Sequence, residues 1–208
     1  MSPTPARFIT LEGVDGSGKS TQSRLLKEAL EAEGYEVLLT REPGGSKGAE
    51  EIRSLVLEGE PDRWSAETEI LLFTAARRDH LERTIEPALA AGKVVLCDRF
   101  VDSTRVYQGI SRGDLRSTVD KLHALMIGRE ADLTLLFDMD PSTGLARAKA
   151  RQTSEERFED FGLEMQLKMR AGFLELAKAA PTRFAVIDAG QAIEAVAADT
   201  LKALKARL

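Results

Sequence analysis

The chain has 208 residues, 43% hydrophobic and 30% charged, with a net charge of −5. That length suits one domain with a full core of its own, and the acidic balance argues against a dedicated nucleic-acid or membrane surface. A single cysteine, Cys97, excludes an internal disulfide and fits a reducing, cytoplasmic setting, and no apolar run reaches the roughly 18 residues of a transmembrane helix.

Along the chain, a short polar start (Met1–Pro5) without signal-peptide character leads into the apolar run Phe8–Leu11. Next comes Gly13-Val14-Asp15-Gly16-Ser17-Gly18-Lys19-Ser20, which satisfies G-x-x-x-x-G-K-[ST], and then a helical pattern over 20–33. A strand, a glycine-rich turn and a helix N-terminus in that order make a nest of backbone N–H groups that attracts anions. The motif predicts a bound nucleoside triphosphate. Gly13, Gly16 and Gly18 permit backbone angles and approaches that a Cβ blocks. Lys19 reaches the β- and γ-phosphates, Ser20 supplies a hydroxyl to Mg²⁺, and Thr21 starts the helix near the α-phosphate. Val14, Asp15 and Ser17 complete the ATP-binding run.

Four more apolar runs follow: Val37–Thr40, Val94–Cys97, Leu133–Phe137 and Phe184–Ile187. Near-continuous hydrophobic runs are expected of strands buried on both faces. Between and after them lie helical patterns at 46–58, 65–90, 114–128, 141–150, 155–179 and 191–206. The alternation predicts an α/β fold of the phosphate-loop NTPase class: three layers, with a five-stranded parallel sheet flanked by helices, as one domain over 1–208. Each apolar run is followed by polar punctuation, such as Glu12-Gly13, Thr40-Arg41-Glu42-Pro43-Gly44-Gly45 and Asp98-Arg99. Ligands of open α/β sheets bind at that edge.

A phosphate loop alone leaves a GTPase switch, an ATPase and a small-molecule kinase open. The chain has no Asn-Lys-x-Asp stretch for guanine, and its third run ends in Asp98-Arg99. Asp98 suits Mg²⁺ or its water shell and Arg99 a phosphate, as befits a metal nucleotide beside a second anionic substrate. Cys97 reads as a packed residue, and His80 and His123 as helix-face residues, since neither has a partner at metal-ligand spacing.

With these stretches and with Leu71-Leu72-Phe73-Thr74-Ala75-Ala76-Arg77, Ser103-Thr104 and Tyr107-Gln108-Gly109, the chain resembles the bacterial thymidylate kinases over essentially its whole length. The resemblance implies the reaction ATP + dTMP → ADP + dTDP with Mg²⁺, in dTTP synthesis, by a homodimer. It implies that Phe73 stacks on thymine, that Arg77 and Thr104 read the base with Gln108 nearby, and that Tyr107 crowds the sugar against a 2′-hydroxyl. Arg99 would clamp the dTMP phosphate, helped by Arg53. Asp15 would orient the acceptor through its sugar hydroxyl, and Glu42 would belong to the same wall.

Some relatives carry an arginine in the phosphate loop where this chain has Gly16. In the other subgroup the arginines come from a short helical lid, here approximately 142–160, with Arg147, Lys149, Arg151 and Arg157. Of these, Arg151 and Arg157 are expected to act in catalysis with Lys19, Asp15 and Arg99. Two other readings stay open. One is a kinase of the same fold for another nucleoside monophosphate or a deoxynucleoside. The other is a nucleotide-dependent switch without phosphotransfer.

Overall fold

The computed structural model describes residues 7–60, 63–110, 112–149 and 162–207. Five strands, β1 (Arg7–Glu12), β2 (Val37–Arg41), β3 (Val94–Asp98), β4 (Leu133–Asp138) and β5 (Phe184–Asp188), pair in parallel in the order β2-β3-β1-β4-β5. The central strands β1, β3 and β4 are buried almost throughout, while the edge strands β2 and β5 are only partly so. β1 lies in the middle, and the chain moves to one side for β2 and β3 and to the other for β4 and β5. The reversal point at the carboxyl end of β1 is where this class of sheet opens a crevice.

Alternate side chains sort the core. Ile9, Leu11, Val94, Leu96, Leu133, Leu135 and Phe137 face α1 (Lys19–Ala32) and α9 (Ile193–Lys205). Phe8, Val95 and Cys97 point the other way, toward α3 (Ala66–His80), α4 (Glu86–Ala90) and α6 (Arg116–Met126). Leu136 on that face packs with Met169, Phe173 and Leu176 of α8 (Leu163–Ala179). Cys97 is fully buried, as the packing reading expects.

Local chemistry sets the helix ends. Ser46 caps α2 (Lys47–Leu57) by accepting from the Ala49 N–H at 3.4 Å, and Ser65 caps α3 by accepting from that of Thr68 at 3.1 Å. α3 carries Glu67 and Glu69 in its first turn and Arg77, Arg78 and His80 in its last, matching the helix dipole. The single helix expected over 65–90 is three pieces. Leu81–Ile85 winds as a π-helix between α3 and α4, and Pro87, which has no N–H to donate, sits in the first turn of α4. A helical stretch not expected from sequence follows β3: α5 (Val101–Thr104) runs into a second π-helical segment, Arg105–Ile110. The four-residue length of α5, the β-branched residues of the stretch and Gly109 in its second part hide it from periodicity.

β4 leads into α7 (Pro141–Lys149), which returns to the phosphate loop. A Cβ at Gly16 would lie 2.0 Å from the carbonyl oxygen of Gly144 in α7, and one at Gly144 would lie 2.8 Å from that of Asp15. The two backbones meet because neither position carries a side chain. Of the expected lid, residues 142–149 belong to this helix, while Arg151 and Arg157 lie outside the described residues. Among the described residues, no helix is long and apolar enough to cross a membrane.

Candidate functional site

The site begins where β1 ends. Gly13, Gly16 and Gly18 all take positive φ, at 141°, 78° and 90°. Gly18 caps α1 in the left-handed region with no side-chain hydrogen bond, and the first turn of α1 holds no acid. The helix N-terminus is therefore dressed only by backbone donors, as an anion needs. The Lys19 ammonium folds across the loop and donates to the Gly13 and Val14 carbonyls, each at 2.9 Å. Burial, and then the Arg99 charge, lower this ammonium to about 8, against the pull of Asp98, Asp15 and Glu12. The loop is braced internally by Ser17 N–H to the Val14 carbonyl at 3.3 Å and by Thr21 N–H to that of Gly18 at 3.0 Å.

Ser20 and Asp98 come together as the sequence predicts. The Ser20 hydroxyl donates to Asp98 Oδ2 at 3.0 Å. Asp98 Oδ1 is buried and has no hydrogen-bond partner among the described residues. An orphaned carboxylate oxygen beside a hydroxyl is the hard donor set that Mg²⁺ takes, with water and phosphate oxygens filling the rest. A second group, Glu42, His80 and Cys97, also gathers ligand atoms within 4.8 Å of one another. Each of these is engaged elsewhere: Glu42 by Arg77, His80 by Glu42 and Thr40, and the Cys97 thiol by the Arg99 carbonyl oxygen at 3.1 Å. As arranged, Glu42 and His80 are links of a hydrogen-bond chain and the Cys97 thiol is tied to backbone.

Beside the loop lies a cleft of about 690 Å³, counting the part open to solvent. Asp15, Glu42, Arg53, Phe73, Arg77, Arg99, Thr104, Tyr107 and Gln108 all line it, so every side chain assigned to the acceptor from sequence converges here. Phe73 and Arg77 stand one turn apart on α3 and face the cleft together. Arg77 is held on two sides, with Nε donating to Glu42 Oε2 at 2.7 Å and Nη2 to the Thr104 hydroxyl at 3.0 Å. Behind it, His80 Nδ1 meets Glu42 Oε1 at 3.1 Å and Nε2 meets the Thr40 hydroxyl at 2.8 Å. Because a carboxylate only accepts, Nδ1 is the donor. His80 is thus fully buried under the cleft and not a surface residue of α3. Arg53 donates to the Pro43 carbonyl at 2.6 Å, and Gln108 gives its amide to the buried Glu69 at 3.1 Å. Arg78 turns away, to Glu82 and to the Met126 carbonyl.

The cleft and the loop meet at Arg99. Its Nη2 donates to Asp15 Oδ1 at 2.5 Å and to the Tyr107 hydroxyl at 3.2 Å, and its Nη1 donates to Ser103 Oγ at 3.0 Å. Tyr107 donates in turn to Asp15 Oδ2 at 3.0 Å. Burial works against the Asp15 carboxylate, but the Arg99 and Lys19 charges outweigh it and keep its pKa low. Burial likewise opposes the Arg99 charge and is overcome by its anionic surroundings, while burial pushes the Tyr107 phenol up. Arg99 is the one non-glycine among the described residues with positive φ, at 69°. That conformation costs on the order of 1–2 kcal/mol and must be imposed by its neighbours.

Glu12, which sequence reading passed over as punctuation, is the neighbour that stands out. It is fully buried and accepts from the Phe100 N–H at 2.8 Å, the Ser103 N–H at 3.3 Å and the Ser103 hydroxyl at 2.6 Å. Burial, and then the charge of Asp102, push its carboxyl up to about 7, despite those hydrogen bonds and Arg99. The available signal was an acid closing a strand buried on both faces, a position that demands partners.

The thymidylate kinase family model matches residues 11–200. A thymidylate kinase of Ruegeria pomeroyi is 76% identical over 192 residues, covering 92% of this chain and 91% of its own length. One from Dinoroseobacter shibae is 63% identical, covering 95% of each. The crystal structure of thymidylate kinase from Ehrlichia chaffeensis superposes with a TM-score of 0.79 at 36% identity, over 97% of this chain and 99% of that one.

Glu12 makes stability depend on pH. Its folded pKa of about 7 exceeds the ordinary 4.5, so the native state binds the extra proton between those values. The associated stability is present below pH 4.5 and is lost as pH rises through 7. The thermal midpoint of wild type should therefore fall relative to that of a Glu12→Gln variant between pH 5 and pH 8. Parallel profiles would show that Glu12 titrates as an ordinary carboxylate.

Proposed function

This chain belongs to the thymidylate kinase family, and on that premise we propose a residue-level account of how it transfers the γ-phosphoryl group of ATP to dTMP, giving ADP and dTDP. One observation carries it: the acceptor set assigned from sequence lines one cleft, and one member, Asp15, belongs to the phosphate loop itself. The two nucleotides then meet across Asp15 and Arg99.

The loop backbone and the α1 N-terminus receive the ATP phosphates, and Lys19 turns its ammonium from the loop carbonyls to the β- and γ-oxygens. Ser20 and Asp98 would hold Mg²⁺, which would supply charge neutralisation to the ATP phosphates. The acceptor oxygen of dTMP is already anionic, so no strong base is needed, and catalysis rests on alignment and charge neutralisation. Arg99 binds the dTMP phosphate. Phe73 stacks on thymine, with Arg77, Thr104 and Gln108 at the base edge, Arg53 and Glu42 on the cleft wall, and Tyr107 with Asp15 against the sugar. The loop run 13–20 contains one cation, Lys19, and the transferring group needs more. Arg151 and Arg157, from a lid over approximately 142–160, supply it within a single domain spanning 1–208.

The chain pairs as a homodimer. Leu71 and Leu125 are 58% and 79% exposed on α3 and α6, helices that pack against each other. Large apolar side chains at such exposure are suited to a partner surface.

An ADP-release assay across dTMP, dUMP, dCMP, dGMP and AMP tests the acceptor. dTMP should lead, with dUMP trailing by roughly 10–200-fold, the range that one methyl group provides. Strong turnover of a purine acceptor would sink the assignment. In the same assay Arg157→Ala should lower kcat by on the order of 10³-fold, the lower end for an arginine acting on a transferring phosphoryl group. A rise in KM alone would remove Arg157 from that role.

A further inference from the structure

Buried acids away from the reacting groups are costly, and a fold keeps one only where its hydrogen bonds are used. Glu12 is fully buried and absent from the cleft lining. All three of its hydrogen bonds go to the turn that follows Arg99: two to the backbone of Phe100 and Ser103, and one to the Ser103 hydroxyl. That hydroxyl gives its proton to Glu12 Oε2 and therefore presents only lone pairs to Arg99 Nη1, 3.0 Å away. The Arg99 N–H is tied to the Leu11 carbonyl at 2.9 Å, on the strand that carries Glu12. One element thus holds Arg99 from both sides, in a left-handed conformation that an arginine does not adopt unaided.

We propose that Glu12 is a positioning residue for the acceptor phosphate: it fixes the Phe100–Ser103 turn and the polarity of the Ser103 hydroxyl, and through them aims the Arg99 guanidinium into the cleft. The inference rests on Arg99 being the phosphate clamp of the preceding section. Glutamine at position 12 keeps an oxygen for the two N–H groups but places an amide donor against Ser103 Oγ. The hydroxyl proton then competes with Arg99 Nη1 for the same space. Alanine at position 103 removes the middle of the relay but keeps the glutamate and its two backbone N–H bonds, which keeps the test available if the Glu12 variant folds poorly.

Calorimetric binding of dTMP and of thymidine, which lacks the phosphate, separates aiming from general damage. Glu12→Gln and Ser103→Ala should each weaken dTMP by roughly tenfold, the scale of a lost hydrogen bond to a charged group. Thymidine affinity and the KM for ATP should stay within about twofold, since neither depends on a phosphate at Arg99. In an Arg99→Ala background, adding Glu12→Gln should change dTMP affinity by less than about twofold, because the path it acts through is gone. Equal weakening of thymidine and dTMP, or an undiminished effect in the Arg99→Ala background, would overturn the proposal. So would wild-type dTMP binding by both single variants while Arg99→Ala is impaired. If Arg99→Ala itself binds dTMP normally, the clamp reading falls as well.

Discussion

The ion pair between Arg99 and Asp15 joins the two halves of this molecule's site. Asp15 sits in the loop after β1 and Arg99 follows β3, strands that are neighbours in the sheet. Parallel pairing brings both chain ends out at the same edge, so a contact between residues far apart in sequence needs no long arm. The pair is about one-fifth exposed on each side, and partial dehydration makes its geometry matter more than that of a surface pair. Tyr107, Ser103 and the Gly13 carbonyl accept from further N–H groups of Arg99, and the Tyr107 hydroxyl donates to Asp15. The Asp98, Asp15 and Glu12 charges all favour the protonated forms of Lys19 and Arg99, so the two cations share one anionic surround.

The opposite wall of the cleft solves a different problem by the same means. Arg77 and Glu42 are 3% and 4% exposed, an ion pair essentially out of water. Removing one member of such a pair strands the other charge, which is why the donors and acceptors around it are so fully matched. The chain Thr40, His80, Glu42, Arg77, Thr104 crosses from β2 through α3 to α5. It is stiff because its three inner members, His80, Glu42 and Arg77, are each bonded on two sides, and its last members face the cleft. The exposed pairs, such as Lys27 with Glu31, have no comparable consequence.

Much of this was legible in the residues, and the remainder was hidden for identifiable reasons. Short runs of branched apolar residues followed by polar stops located all five strands, because burial on both faces leaves little room for other residue types. The cleft residues were legible through motif order, and they do gather. Glu12, Ser103 and His80 went unseen as site residues because their importance lies in what they bond to, not in what they are. A glutamate at a strand end and a histidine on a helix look like ordinary surface residues until the neighbouring strand and turn are in place. The π-helical segment bearing Tyr107 and Gln108 was likewise invisible, since an extra residue per turn blurs the very periodicity by which helices are recognised.

The touching glycines at 16 and 144 carry a consequence for how this enzyme can vary. A side chain at 16 would need both a left-handed backbone and the volume now filled by α7. An arginine built into the loop and a helix packed this close to it are therefore alternatives, of which one chain can hold only one. The choice between them is made as much by where β4 delivers α7 as by the loop itself. Introducing an arginine at position 16 would be a two-site problem whose second site, Gly144, lies in the far half of the sequence.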